Sequence, residues 1–372
     1  MSSRDSIRPL RLLIVMPSWL GDCVMATPAL ARLRRGLPGC FIGGLVRPGM
    51  DELLAGSALF DELHVHLPQG VMSPKHAAAK VRPRRYDAAL LLTNSFSTAL
   101  ITRLADIPRR VGYDRDLRGI LLTEKLIAPK TASGAWAMIP ACEYYHRLAD
   151  QLLGEHADAA DNAARPTAIG RDACLSLGVT PEQEAKAAEI KQRAGLTPGE
   201  AYAVLNPGGN NPAKRWPPER FAALADHLFH AYGCTILLNG SPGERAIIES
   251  IAELSHARCV SLAALGNSIG SLKAIVRDAR LMVTNDTGPR HIAAAFGVPL
   301  VSLFGPTDHR WTTIPTRASG PERIIVADPT LAEDQSANDH PERCAIEHIS
   351  VERVIEGADA VLGAASREPT PS

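Results

Sequence analysis

No stretch of this 372-residue chain approaches the roughly 18 uninterrupted apolar residues of a transmembrane helix, so no membrane span is expected. The opening residues, MSSRDSIRPL, lack the apolar core of a secretory signal, and none is expected there. Net charge is absent as well: forty Lys and Arg balance forty Asp and Glu. A dedicated nucleic-acid binder carries a basic excess, so no nucleic-acid partner is expected. Cysteine is sparse and unpatterned. The seven residues Cys23, Cys40, Cys142, Cys174, Cys234, Cys259 and Cys344 form no CxxC pair, which argues against a zinc site or a disulfide framework and for reduced thiols. The GxGxxG fingerprint is missing, which speaks against an NAD-dependent oxidoreductase. No His/Asp cluster calls for a catalytic metal, and none is expected.

What remains is an ordinary globular composition, 45% hydrophobic and 22% charged, in a chain long enough for two domains. Short aliphatic runs alternate with helical spacing. Leu12–Met16, Phe41–Val46, Glu62–His66 and Ala88–Leu92 read as buried strands, with helices over Ala26–Leu37, Pro74–Val81 and Phe96–Ala105 between them. The pattern dissolves at Ala157–Pro166, which reads as a linker. After a polar helix, Pro181–Ala194, a second alternation begins. Its strands are Tyr202–Leu205, Thr235–Leu238 and Leu281–Thr284, and its helices Pro218–Tyr232, Glu244–Leu254 and Ser271–Asp278. From Leu281 the chain runs strand, turn, small-residue helix and second buried strand to Thr307. A final helix is capped by Ser350, with Val351, Val354, Ile355, Ala358, Val361 and Leu362 on one face. The tail 366–372 is expected to be disordered. Such alternation predicts an α/β chain of two open sheets covered by helices on both faces.

Four loops can carry chemistry, because ligands bind open α/β sheets beyond the carboxyl ends of the strands. In Pro17–Asp22, Asp22 reads either as a helix cap or as a general base. In Asn206–Pro218, Gly208 and Gly209 permit close backbone approach, while Lys214 and Arg215 supply charge for phosphate or are simply solvated. After Thr235–Asn239, Glu244 is either a ribose-contacting acid or an ordinary first-turn helix acid. In Asn285–Gly288 the strand becomes a helix whose first N–H groups and dipole suit a phosphate, with His291 one turn inside, packed or in contact. Lys75, Lys80, Arg82, Arg84 and Arg85 form a basic cluster, either a solvated helix end or a surface for phosphorylated sugars and lipid headgroups.

The segments PSWLGDCVMATPAL (17–30), LLTNSFSTAL (91–100), VGYDRDLRGILLTEKL (111–126), PAKRWPPERFAALA (212–225) and TNDTGPRHIAAAFGVPLVSLFGPTD (284–308) resemble glycosyltransferase family 9. The likeness implies a GT-B architecture, two Rossmann-like doubly wound domains facing a central cleft. Residues 1–165 would form the acceptor domain and 166–347 the nucleotide-sugar domain, with 166–200 as linker region. Residues 348–365 would be a helix crossing back to the first domain. It implies ADP-heptose as donor, the first heptose of a Kdo-containing lipid A core as acceptor, inversion at the anomeric carbon, and no metal or cofactor.

The family's catalytic aspartate falls on Asp22, and Lys214 with the backbone of Thr287 and Gly288 would stabilise charge on the departing ADP. Donor contacts would come from Gly21, Gly208, Gly209, Asn210, Lys214, Glu244, Asp286, Thr287, Gly288 and His291. Acceptor contacts would come from Trp19, Asn94, Ser95 and Arg118. The resemblance further implies a cytoplasmic protein, peripheral to the inner face of the membrane, and a monomer. Another nucleotide-sugar or acceptor, or a non-catalytic nucleotide-sugar binder, are the alternatives left open.

Overall fold

Aliphatic runs without polar alternation need cover on both faces of their sheet. The computed structural model, which describes residues 10–130, 137–154, 174–315 and 320–365, provides it. The chain divides into two compact units, Met1–Ala173 and Cys174–Ser372. The expected boundary at 165/166, the polar stretch Ala157–Pro166 and the tail 366–372 lie outside the described residues.

The first unit runs β1 (Arg11–Val15), α1 (Leu20–Met25), α2 (Thr27–Gly36), β2 (Phe41–Val46), α3 (Met50–Leu54), β3 (Glu62–Val65), α4 (Ser73–Val81), β4 (Ala88–Leu91), α5 (Phe96–Leu104), β5 (Arg109–Tyr113), β6 (Glu124–Leu126) and α6 (Ala141–Leu153). Its strands pair in parallel, in the order β3-β2-β1-β4-β5-β6. Leu12, Leu13 and Ile14 are fully buried, as the uninterrupted run demands.

The second unit runs α7 (Pro181–Arg193), β7 (Tyr202–Asn206), α8 (Pro218–Tyr232), β8 (Thr235–Leu238), α9 (Arg245–Leu254), β9 (Cys259–Ser261), α10 (Ile269–Arg277), β10 (Leu281–Asn285), α11 (Gly288–Phe296), β11 (Leu300–Phe304), β12 (Glu322–Val326) and α12 (Val351–Ala365). The order β12-β11-β10-β7-β8-β9, again parallel, repeats that of the first sheet. Strand order therefore reverses between β1 and β4 and between β7 and β10. Those two switch points are where a doubly wound sheet opens a crevice at its carboxyl ends.

Strands β5, β6, β9 and β12 and helices α1, α3 and α6 are not legible in the apolar pattern. Three of those strands lie at sheet edges, where polar residues are tolerated. The RRV start of β5 and the EKL of β6 satisfy each other: Arg109 Nε and Nη2 donate to the Glu124 carboxylate at 2.7 and 3.0 Å. The last helix buries Val354, Ala358, Val361 and Leu362 in the core of the second unit with Val301, Leu303 and Ile325. Trp216 Nε1, fully buried, donates to the carbonyl of Ile349 just before it at 2.8 Å.

Candidate active site

Three of the four loops singled out in the sequence converge at the β7/β10 switch point. The Lys214 ammonium donates to Asp286 Oδ2 at 2.7 Å, and Thr307 Oγ1 donates to the same oxygen at 3.0 Å. Asn285 Nδ2 donates to the carbonyls of Pro207 and Gly208 at 2.7 and 3.1 Å, stitching the glycine loop to the turn that starts α11. Glu244 arrives from the third loop. Its Oε1 accepts from Gly209 N at 2.6 Å, while its Oε2 accepts from Ser241 N and Oγ at 2.7 and 2.9 Å. Gly208 has to be glycine for this contact: a Cβ there would lie 2.1 Å from Glu244 Oε1. The carboxylate expected to meet a ribose is thus largely engaged in bracing its own loop. Asn210 stands exposed at the loop tip, and Arg215 Nε is turned to the carbonyl of Gly209 at 2.8 Å.

At the start of α11 Pro289 has no N–H and Arg290 N already donates to the carbonyl of Thr287 at 3.2 Å, but no side chain caps the helix. Thr287 holds the N-cap position but makes no capping hydrogen bond. Its hydroxyl instead accepts from Asn206 Nδ2 at 2.9 Å and lies 3.0 Å from Thr284 Oγ1. Asn206 is in turn held by Asn239 Nδ2 at 2.6 Å, so a buried amide pair fixes the cap residue away from its usual job. His291, in the first turn, is buried, and burial followed by the neighbouring Arg290 charge drives its pKa well down, leaving a neutral imidazole. Among the described residues only His146 Nδ1 and His291 Nδ1 are buried side-chain polar atoms without a hydrogen-bond partner. Buried polar groups are normally paired, so the His291 nitrogen in the first turn of α11 is an exception. Arg290 is an anchor: wholly buried, it donates to both oxygens of Glu322 at 2.7 and 3.1 Å and ties α11 to β12.

In the first unit the second cluster forms at the β1/β4 switch point. Asp22 lies in the first turn of α1, where Trp19 is the N-cap and no side chain caps the helix. The capping reading of Asp22 therefore gives way. Its Oδ1 accepts from the buried Tyr145 hydroxyl at 3.0 Å, across 123 residues of sequence. Burial raises the Asp22 pKa above the ordinary carboxylate range; the Tyr145 hydrogen bond, and one from its own backbone N–H, pull it partly back. Gly21 is buried beside it, while Trp19 is 65% exposed. Asn94 Oδ1 accepts from Tyr144 Oη and Arg118 Nη2, both at 3.1 Å. Ser95 caps α5 through Thr98 N at 3.3 Å. Arg118 is wholly buried, its pKa pushed down to about 10 by desolvation, and it donates to the carbonyls of Thr93 and Tyr113. It braces the ends of β4 and β5.

Sequence reading did not mention Tyr145 and gave Asn206, Asn239 and Asn285 no role beyond bounding their loops. The two asparagines that end β7 and β10 carried a faint signal, being polar at the close of aliphatic runs; Tyr145 carried none. The Tyr145–Asp22 bond has a testable consequence. A base must be ionised to accept a proton, so transfer falls as pH drops through the Asp22 pKa. Tyr145→Phe removes a bond that favours the ionised form, so the acid limb of kcat against pH should move to higher pH. A limb left in place would reduce Tyr145 to packing.

The heptosyltransferase II structure from E. coli superposes with a TM-score of 0.78 at 24% identity, covering 96% of this chain and 100% of its own. A family 9 structure from Veillonella parvula gives 0.76 at 21% identity, over 95% of this chain and 97% of its own. With two doubly wound sheets of the same order, the chain has the GT-B fold. The sequence pattern of glycosyltransferase family 9 (heptosyltransferase) matches residues 76–338, and the chain belongs to that family. Lipopolysaccharide heptosyltransferase 2 of Escherichia coli K12 is 26% identical over 95% of this chain and 99% of its own length. The protein is accordingly an enzyme, a heptosyltransferase, which sets aside the non-catalytic and oxidoreductase alternatives.

Proposed function

We propose that the enzyme moves L-glycero-D-manno-heptose from ADP-heptose to the first heptose of the lipopolysaccharide inner core, with inversion at the transferred C1. The observation that carries the donor half of this reading is the uncapped start of α11, flanked by Lys214 and the unpaired His291 nitrogen. A diphosphate there would meet free backbone N–H groups, the positive end of the helix and an ammonium with two N–H bonds still unspent. The acceptor half rests on Asp22, a carboxylate whose proton affinity is raised by burial. It would take the proton from the acceptor hydroxyl as that oxygen bonds to C1 and the C1–O bond to ADP breaks. Positive charge then builds on the ring and negative charge on ADP, and Lys214 with the α11 dipole offsets the latter without a metal.

The names of the relatives favour this substrate pair over other nucleotide-sugars. We further propose that it works as a monomer at the cytoplasmic face of the membrane that carries its acceptor. Mixing the enzyme with ADP-heptose and mono-heptosylated Kdo-lipid A should add one heptose, read by mass spectrometry of the product. Consumption of ADP-glucose or a UDP-sugar in place of ADP-heptose would sink the donor assignment.

A further inference from the structure

Between Leu63 and Tyr86 the chain carries Lys75, Lys80, Arg82, Arg84 and Arg85 and no Asp or Glu. The fold spreads this segment along one side of the first unit, since β3 is an edge strand and, among the described residues, no further strand covers it. The loop from β3 to α4 is exposed from Leu67 to Met72, and its apolar members are the unusual part. Leu67 is 54%, Val71 96% and Met72 51% exposed. Helix α4 then buries Ser73, Ala77, Ala78 and Val81 and turns Lys75, His76, Ala79 and Lys80 outward. Arg82, Arg84 and Arg85 continue the exposed strip. Neighbouring elements bring acids to it: Glu62 pairs with Arg84 at 2.6 Å, and Asp106 lies 3.6 Å from Arg82. Set against five cations, these two carboxylates leave an excess of positive charge.

We infer that the Leu67–Met72 loop and the outward face of α4 dock this enzyme on an anionic lipid bilayer. Cations alone would suit any phosphate, free or on a sugar, but neither offers a place for Leu67, Val71 and Met72. A bilayer does both: its headgroups meet Lys75 and the arginines, and its acyl boundary takes the three apolar side chains from water. The uncharged loop Leu67-Pro68-Gln69-Gly70-Val71-Met72 has nothing ionic to desolvate on entry. This inference stands on the surface itself and not on which sugar is transferred.

The test is flotation of the full-length enzyme with phosphatidylcholine vesicles made with and without phosphatidylglycerol. The wild type should float with the anionic vesicles only. Val71→Asp/Met72→Asp should weaken that binding at least about tenfold, and Lys75→Gln about fivefold. Both variants should keep normal turnover on a deacylated, soluble acceptor, which also reports that they fold. Val71→Trp, a gain-of-signal variant, should show a blue shift in its tryptophan emission when anionic vesicles are added. Wild-type protein that ignores anionic vesicles overturns the inference, as does an Asp pair that floats unchanged or a Val71→Trp emission that does not move. Self-association of the wild type, abolished by the Asp pair with no vesicle effect, would assign the surface to a second copy instead. Flotation and heptose transfer fail independently, so loss of either one leaves the other reading intact.

Discussion

Asp22→Asn should slow heptosyl transfer by about 10²–10⁴-fold, the range for removal of a general base, with ADP-heptose affinity essentially unchanged. The amide keeps the size of the side chain and can still accept the Tyr145 hydroxyl, so α1 and α6 should stay in place. What it cannot do is take a proton. The donor contacts we propose, Lys214, the start of α11 and His291, all belong to the second unit, whereas Asp22 and its Tyr145 partner belong to the first. Single-turnover rates and donor titration calorimetry separate the two effects. Turnover near the wild-type rate would remove Asp22 from the chemistry, and a parallel loss of donor affinity would make it a binding residue.

Lys214→Ala should instead lower kcat/KM by about 10²–10³-fold and weaken ADP binding at the same time. Two causes add. The ammonium is the cation at the mouth of α11, and its loss removes a charge-assisted bond to phosphate both in the bound donor and, more strongly, as ADP departs. It also leaves the Asp286 carboxylate with only the Thr307 hydroxyl of the two partners it has now. An anion so exposed would repel the diphosphate. Competition of ADP against a fluorescent nucleotide, alongside steady-state kinetics, reads both. Unaltered kinetics would take Lys214 out of the site.

Much of the fold was legible because aliphatic runs and helix spacing are local. Pro218–Tyr232 and Thr235–Leu238 coincide with α8 and β8, and Phe41–Val46 with β2. Cap chemistry helped as well: Ser350, expected to cap the last helix, accepts from Arg353 N at 3.4 Å. The strands that escaped notice are short or polar at their ends, and their polarity is explained only by partners elsewhere. Glu124 answers Arg109 across the β5–β6 pair, and Glu322 answers Arg290 from α11. The apolar face of the last helix, legible in its spacing, found its match on the second sheet.

By itself the sequence determined the class of fold, two doubly wound α/β units, and the four strand-end loops where chemistry would sit. It also bounded the partners through balanced charge and missing fingerprints. Those conclusions follow from composition and from patterns a few residues long. Tertiary structure alone decided which of the loops share a site and what holds each group. Only the shared strand order shows that the Asn206, Glu244 and Asp286 loops meet, because parallel strands bring their carboxyl ends to one rim whatever their distance in sequence. Tyr145 on Asp22, and the asparagines that draw Thr287 from its cap, are likewise products of packing across long loops. A hydrogen bond depends on where two atoms lie in space, and no periodicity in the chain encodes that.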